Sequence, residues 1–305
     1  MNINYRDEIL RLKKEKNAVI LAHYYQPGQI QELADYVGDS YYLSEKAREC
    51  NEQVIVFCGV RFMAESAKIL SPQKKVLMPC NTAGCSMADM ASKKAIIEMK
   101  NKYPDAYVVC YINSTYEVKA YCDVAVTSSS ALKIIKNIPN KQILFLPDKN
   151  LGGYISEFFP EKEFILWNGF CRCHNKVNKE DILKAKEEYK DAKVLVHPEC
   201  TKEIRDIADY IGSTSGIINY ATNDNGQVYI VATEEGILYE LNNKNPDKKF
   251  IIPGHGICCQ DMKKTTVENL YECLLNMKYE ITLDEEIRKK ALRSLENMHK
   301  LGSEK

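Results

Sequence analysis

One chemical pattern recurs three times along this chain, and it limits the possible fold more than any other feature. The segments starting at Ala18 (AVILAHYYQPGQIQELADYVGDS), Ala106 (AYVVCYINSTYEVKAYCDVAVTSSS) and Ala192 (AKVLVHPECTKEIRDIADYIGSTS) lie 88 and 86 residues apart. Each opens with an apolar run, ends that run in polar residues and reaches a Ser/Thr cluster after the same interval. Cys85, Cys171 and Cys259 follow with spacings of 86 and 88 residues. A repeat that contributes one thiol per unit points to a single metal centre shared by three similar units.

Within each unit, strands and helices alternate. Ala18–Ala22, Tyr107–Tyr111 and Lys193–Val196 read as buried parallel strands. Amphipathic stretches follow at Gln29–Val37, Tyr116–Tyr121 and Lys202–Ile211. Second strands are expected at Val54–Phe57, Gln142–Leu146 and Val228–Val231, with helices at Phe62–Leu70, Leu151–Phe158 and Glu234–Leu241. Third strands, Val76–Met78, Phe164–Leu166 and Phe250–Ile252, lead to the cysteines, and helices at about Asp89–Lys102, Lys179–Tyr189 and Thr265–Lys278 come after them. The reading is an α/β protein of three α/β/α units with parallel sheets, related by pseudo-three-fold symmetry around a central metal site. The expected boundaries are 1–88, 89–176 and 177–262, with a C-terminal helical segment, 263–305, packing on the repeats. Its end, Glu285–Lys305, reads as a surface helix.

Charge narrows the function. Forty-two basic residues balance forty-two acidic ones, so no basic footprint suggests nucleic acid or an anionic membrane. The N-terminus is charged and amphipathic, without the apolar core of an export signal, and no apolar run is long enough to span a bilayer. A cytoplasmic protein is expected. Its twelve cysteines then read as thiols or metal ligands rather than disulfides. Cys58, Cys110 and Cys122 lie in or beside apolar runs and read as buried core. Cys50 and Cys273 sit in helical patterns.

Aligned positions carry the chemistry. Five residues beyond each unit start stand His23, Tyr111 and His197; two further on stand Tyr25, Asn113 and Glu199. All six fall at strand ends with alternate side chains on one face, and in open α/β sheets ligands collect beyond those ends. A lone histidine there is usually structural, but polar pairs recurring in all three units favour a site. Twenty-two residues on come Ser40, Ser128 and Thr214, each before a helical stretch. Such residues cap helices, and the same geometry offers hydroxyls and N–H groups to carboxylates or phosphate. Three convergent thiolates suit iron–sulfur ligation, with one iron of a cubane left without a protein ligand. Zinc with three protein ligands is also open, and His174, three residues after Cys171, would complete such a site.

At these residues the chain resembles the quinolinate synthase family over nearly its whole length. The matching pieces are AHYYQ (22–26), ADYVGDS (34–40), CGVRFMAESAK (58–68), AGCSMADM (83–90), YINS (111–114), WNGFCRCH (167–174), HPEC (197–200) and CCQDMKKTTVENL (258–270). The resemblance implies a [4Fe–4S] cluster held by Cys85, Cys171 and Cys259, with one open iron acting as a Lewis acid. It selects Cys171 over Cys173 and Cys259 over Cys258, and makes Cys80 a non-ligand. It implies a transferase-type condensation of iminoaspartate with dihydroxyacetone phosphate to quinolinate, phosphate and two waters, for NAD biosynthesis. An L-aspartate oxidase or dehydrogenase would supply the iminoaspartate.

By the same resemblance Tyr25 assists proton transfers and phosphate loss, and Glu199 is the main general base, helped by His23 and His197. Ser40, Ser128, Ser213 and Thr214 hold carboxylates or phosphate. Tyr111 and Asn113 orient the intermediate, and His174 contacts substrate. Loops near Gln26–Gln29 and Gly152–Gly153 are the expected lids. The rival readings are a reductive dehydroxylase built on a similar trefoil, a diphthamide-biosynthesis enzyme, and a cluster-based sensor. A sensor needs no acid–base array.

Overall fold

The computed structural model describes residues 4–303. Helix α1 (Tyr5–Glu15) precedes the first unit, which runs β1 (Ala18–His23), α2 (Gly28–Leu33), β2 (Tyr36–Gly38), α3 (Ser40–Glu49), β3 (Val54–Cys58), α4 (Arg61–Leu70) and β4 (Lys75–Leu77). After α5 (Lys93–Lys102), the second unit repeats the order: β5 (Tyr107–Tyr111), α6 (Tyr116–Lys119), β6 (Val124–Val126), α7 (Ala131–Lys136), β7 (Gln142–Leu146), α8 (Lys149–Ser156) and β8 (Glu163–Leu166). The third follows α9 (Lys179–Glu188): β9 (Lys193–Val196), α10 (Lys202–Arg205), β10 (Tyr210–Ile211), α11 (Thr214–Asn223), β11 (Val228–Ala232), α12 (Ile237–Lys244) and β12 (Lys249–Ile251). Helices α13 (Val267–Asn276) and α14 (Glu285–Ser303) close the chain.

Each unit builds its own four-stranded sheet, in the orders β2-β1-β3-β4, β6-β5-β7-β8 and β10-β9-β11-β12, every strand pair parallel. Three separate sheets of identical order exclude one long doubly wound sheet. The sequence reading gave each unit three strands; the fourth is the short edge strand β2, β6 or β10. Two of these edges fall inside the amphipathic stretches Gln29–Val37 and Lys202–Ile211, whose helices stop earlier, α2 at Leu33 and α10 at Arg205. Strands of two or three residues show no period of their own, which is why an amphipathic stretch ran through them.

The strands are apolar on both faces because helices cover both. Val19 and Leu21 join the large core that spans the units, while Ala18, Ile20 and Ala22 pack with Ile9 and Leu12 of α1 and Leu270 and Leu274 of α13. Burying each such Val, Ile or Leu contributes roughly 1.5–3 kcal/mol. Helix α14 packs one face on α4, α6, α7 and β6. It buries Ala291, Leu295 and Met298, and Asn297 Nδ2 donates to the Asp123 carbonyl at 2.8 Å. The open edge of β4 is covered by the chain after α13: Met78 N–H donates to Tyr279 O and Ile281 N–H to Val76 O, at 3.2 and 2.8 Å. Neither expected lid has the form of one. Gln26 is fully buried with its Nε2 donating to Met262 O at 2.7 Å. Gly152 and Gly153 lie inside α8, where a Cβ on Gly152 would stand 2.7 Å from Phe145 and Leu166. Among the described residues no helix is long and apolar enough to cross a membrane.

Candidate active site

The carboxyl ends of the inner strands of all three sheets open onto one cavity of about 680 Å³, counted out to its mouth. Every site residue expected from the sequence lines it except Ser213. Ser213 instead caps α11, its Oγ accepting from Gly216 N–H at 3.1 Å.

The three cysteines arrive on loops that the fold anchors in the same way. In each unit the N–H that follows the second-strand turn donates to the carbonyl two residues before the cysteine. The pairs are Arg61 to Ala83 at 2.9 Å, Lys149 to Gly169 at 2.8 Å and Glu235 to Ile257 at 2.8 Å. A short 3-10 turn follows each cysteine, at Ala88–Met90, His174–Lys176 and Met262–Lys264. Beside each sulfur a backbone N–H of the following turn favours the thiolate: Ala88 for Cys85, His174 for Cys171 and Met262 for Cys259. Such donors are what a sulfur-ligated cluster uses to hold thiolate charge. Burial pushes the Cys85 thiol up to about 12, so a cationic centre is what would ionise it in this cavity. The donor set therefore fits a three-thiolate cluster. Cys173 also lines the cavity, whereas Cys258 and Cys80 do not. All twelve cysteines are free thiols.

The strand-end residues form a connected array. Tyr111 donates its hydroxyl to Glu199 Oε1 at 2.6 Å, and His174 Nδ1 lies 2.9 Å from Glu199 Oε2 and 3.2 Å from Cys171 Sγ. His174 Nε2 meets Thr233 Oγ1 at 2.9 Å, and Thr233 meets the Tyr25 hydroxyl at 2.8 Å, which in turn meets Thr214 Oγ1 at 2.9 Å. Burial opposes charge on Glu199, yet His174, His197 and Tyr111 outweigh it and hold the carboxylate well below its usual range. Burial likewise opposes charge on His174, but Glu199 overrides it and lifts the imidazole to about 9. His23 and His197 are pushed down to about 3, by burial first. Burial and the Glu199 charge raise Tyr25 and Tyr111 well above 10.

Backbone contacts set the two neutral histidines. His23 Nδ1 accepts from Tyr25 N–H at 3.1 Å, and His197 Nδ1 accepts from Glu199 N–H at 3.3 Å. A neutral ring that accepts at Nδ1 carries its proton on Nε2. His197 Nε2 accordingly faces Ser128 Oγ at 3.3 Å. Ser40 and Thr214 are the first residues of α3 and α11, where the helix dipole favours an anion, although side chains already take part of the first-turn N–H set, Asp39 in α3 and Ser213 in α11. Asn113 Oδ1 is buried and without a partner.

Several residues here were not singled out from the sequence. Asp39 caps α3 by accepting from Tyr41 and Tyr42 N–H at 3.1 and 3.0 Å, and it receives the Ser215 hydroxyl at 2.6 Å. Glu234 accepts from Cys259 N–H at 3.0 Å, Gly236 N–H at 2.7 Å and Lys263 Nζ at 2.8 Å. Lys263 also donates to Tyr25 O at 2.6 Å. Gly236 lies against the Tyr25 backbone so closely that a Cβ would stand 2.7 Å from Tyr25 Cα. The Cys259 loop and the Tyr25 loop are thus fastened together. Asp148, capping α8 behind Glu199, has one carboxylate oxygen without a partner and is pushed up to about 7 by burial and then by Glu199.

The model of the quinolinate synthetase A protein family matches residues 7–300. The chain is similar to quinolinate synthase of Clostridioides difficile (strain 630), 66% identical over 295 residues that cover 97% of each chain. It is 57% identical over 300 residues to that of Clostridium perfringens (strain 13 / Type A), covering 98% of this chain and 100% of the relative. To that of Caldicellulosiruptor saccharolyticus it is 54% identical over 295 residues, 97% of each chain.

Proposed function

The chain belongs to the quinolinate synthetase A family, and from that premise we propose that it condenses iminoaspartate with dihydroxyacetone phosphate. The products are quinolinate, phosphate and two waters, which places the enzyme in NAD biosynthesis. The observation that carries this reading is convergence: acid–base residues from three units and three cysteines line one buried cavity.

Cys85, Cys171 and Cys259 would hold a [4Fe–4S] cluster, which when bound supplies a Lewis-acidic iron with an open coordination position. The remaining steps, enolisation, C–C bond formation, phosphate loss and two dehydrations, one of them the closure of the imine, all need protons moved. Glu199 is ionised and is the general base; with Tyr111 on Oε1 and His174 on Oε2, it takes a proton only where substrate displaces one of these partners. His23 and His197 act as Nε2–H donors to substrate oxygens rather than as bases, because backbone N–H groups occupy their Nδ1 atoms. Tyr25 stays protonated and donates a hydrogen bond from its hydroxyl toward the triose and its leaving phosphate. The α3 and α11 N-termini, with Ser40 and Thr214, bind carboxylate or phosphate, and Ser128 does so beside His197. Asn113 orients the intermediate, its free Oδ1 accepting from a substrate N–H or O–H.

One observation favours a second reading. Cys171, His174 and Glu199 offer ligand atoms within 4.8 Å of one another, a donor set that zinc accepts. Anaerobic purification, metal and sulfide analysis and a quinolinate assay with both substrates decide between them. About four irons per chain with product formed supports the cluster enzyme. One zinc without product overturns it.

A further inference from the structure

We propose that Thr233 is a positioning residue for the reaction: its hydroxyl bridges Tyr25 and His174 and fixes the two side chains relative to each other. This rests on the reading of Tyr25 and Glu199 as the proton-handling groups of the cavity. Thr233 is fully buried just beyond β11, with Oγ1 2.8 Å from the Tyr25 hydroxyl and 2.9 Å from His174 Nε2. These contacts complete an unbroken chain, Tyr111–Glu199–His174–Thr233–Tyr25–Thr214, whose links all measure 2.6–2.9 Å. Thr233 is the link between its two halves: the carboxylate with its imidazole on one side, the phenol on the other.

The repeat supplies the argument that this hydroxyl serves the site and not the fold. Counting back by the repeat interval, Thr233 corresponds to Pro147 and Gly59, neither of which has a hydroxyl. The same strand–turn–helix corner is built in those units without one. A hydroxyl combines one proton with two lone pairs, so it satisfies a phenol and an imidazole nitrogen at once. Valine has the same shape and satisfies neither. It would leave a buried imidazole nitrogen without a partner and the phenol held from the Thr214 side alone.

The test compares Thr233→Val, Thr233→Ser and Tyr25→Phe as anaerobically prepared holoenzymes, reading iron content, thermal midpoint, kcat and KM. Thr233→Val is expected to keep iron, to lose only a few degrees of thermal midpoint for the unpaired imidazole nitrogen, to lower kcat about tenfold or more, and to move KM less than about threefold, as misplacement of a reacting group does. Thr233→Ser is expected to restore kcat to within about threefold of the parent, since it returns the hydroxyl. Parental kcat in Thr233→Val overturns the proposal. So does a Thr233→Ser enzyme as impaired as Thr233→Val, which would make packing the cause. A Tyr25→Phe enzyme with parental turnover overturns the underlying reading and the proposal with it. An inactive Tyr25→Phe beside an unimpaired Thr233→Val overturns the proposal alone.

Discussion

His174 Nδ1 lies 2.9 Å from Glu199 Oε2, with neither side chain more than 5% exposed. The imidazole belongs to the turn after Cys171 and the carboxylate to the end of β9, so a cysteine loop of one unit meets the strand end of the next. Buried pairs of this kind are tightly interdependent: removing one partner costs about 3–5 kcal/mol because the other charge is stranded.

Glu199→Gln keeps the hydrogen-bonding shape and removes the charge. We expect kcat to fall about 10²- to 10⁴-fold, the span of a lost general base, with iron content retained. A turnover assay beside metal analysis checks this, and near-parental turnover would favour a sensor over an enzyme.

Cys85→Ser, Cys171→Ser and Cys259→Ser should each abolish the cluster absorbance and product formation. Cys258→Ser and Cys80→Ser should leave both, since neither side chain lines the cavity. Cys173→Ser is also expected to retain iron, although Cys173 does line it. Iron and sulfide analysis of the six proteins is the check, and an indispensable Cys173 or Cys258 would refute the assignment.

Asp148 makes stability depend on pH in a direction opposite to that of an ion-paired carboxylate. Its folded value, about 7, lies above the ordinary 3.8. Between those values the unfolded chain loses the proton while the folded chain keeps it, so stability falls as pH rises from 3.8 to about 7 and this contribution is flat above. Asp148→Asn should flatten that fall, measured as denaturant midpoints across the window.

His299 of α14 acts in the opposite direction to Asp148, losing stability toward acid. Burial, with Arg48 adding to it, holds its imidazole down at about 4. The unfolded chain takes up the proton first as pH falls from 6.5, so stability declines toward pH 4. His299→Gln should lose that part of the acid sensitivity in the same titration.

Leu295 is fully buried where α14 meets the second unit. Leu295→Ala should cost about 2–5 kcal/mol of unfolding free energy and leave KM unchanged in the folded protein. Chemical denaturation with matched kinetics tests both halves.

What could be read from the sequence was whatever the repeat made redundant. His23, Tyr111 and His197 declared themselves because chemically active residues recur at matching positions, and the inner strands did so because their apolar runs recur. Thr233 and Glu234 escaped the same filter: their counterparts are Gly59 and Val60 in one unit and Pro147 and Asp148 in another, so no shared chemistry marks the position. Asp39 escaped because the sequence places the cap of α3 at Ser40 and that of α11 at Thr214, whereas the caps stand one residue earlier, at Asp39 and Ser213. The edge strands β2, β6 and β10 are too short to carry a period. Which ring nitrogen of His23 and His197 the backbone occupies is a matter of geometry that residue identity does not encode.

The matched tethers that hold Cys85, Cys171 and Cys259 to their own units have a consequence for how such a cavity can exist at all. Three identical chains arranged as a cyclic trimer would converge three thiols equally well. They would also be bound to present the same residue three times at every other position. Joining the units in one polypeptide keeps the convergence and releases that constraint, so the corners occupied by Tyr25, Asn113 and Glu199 differ in charge, acidity and reach. A symmetric frame thereby encloses an asymmetric interior, which is what the proposed condensation of two unlike substrates requires.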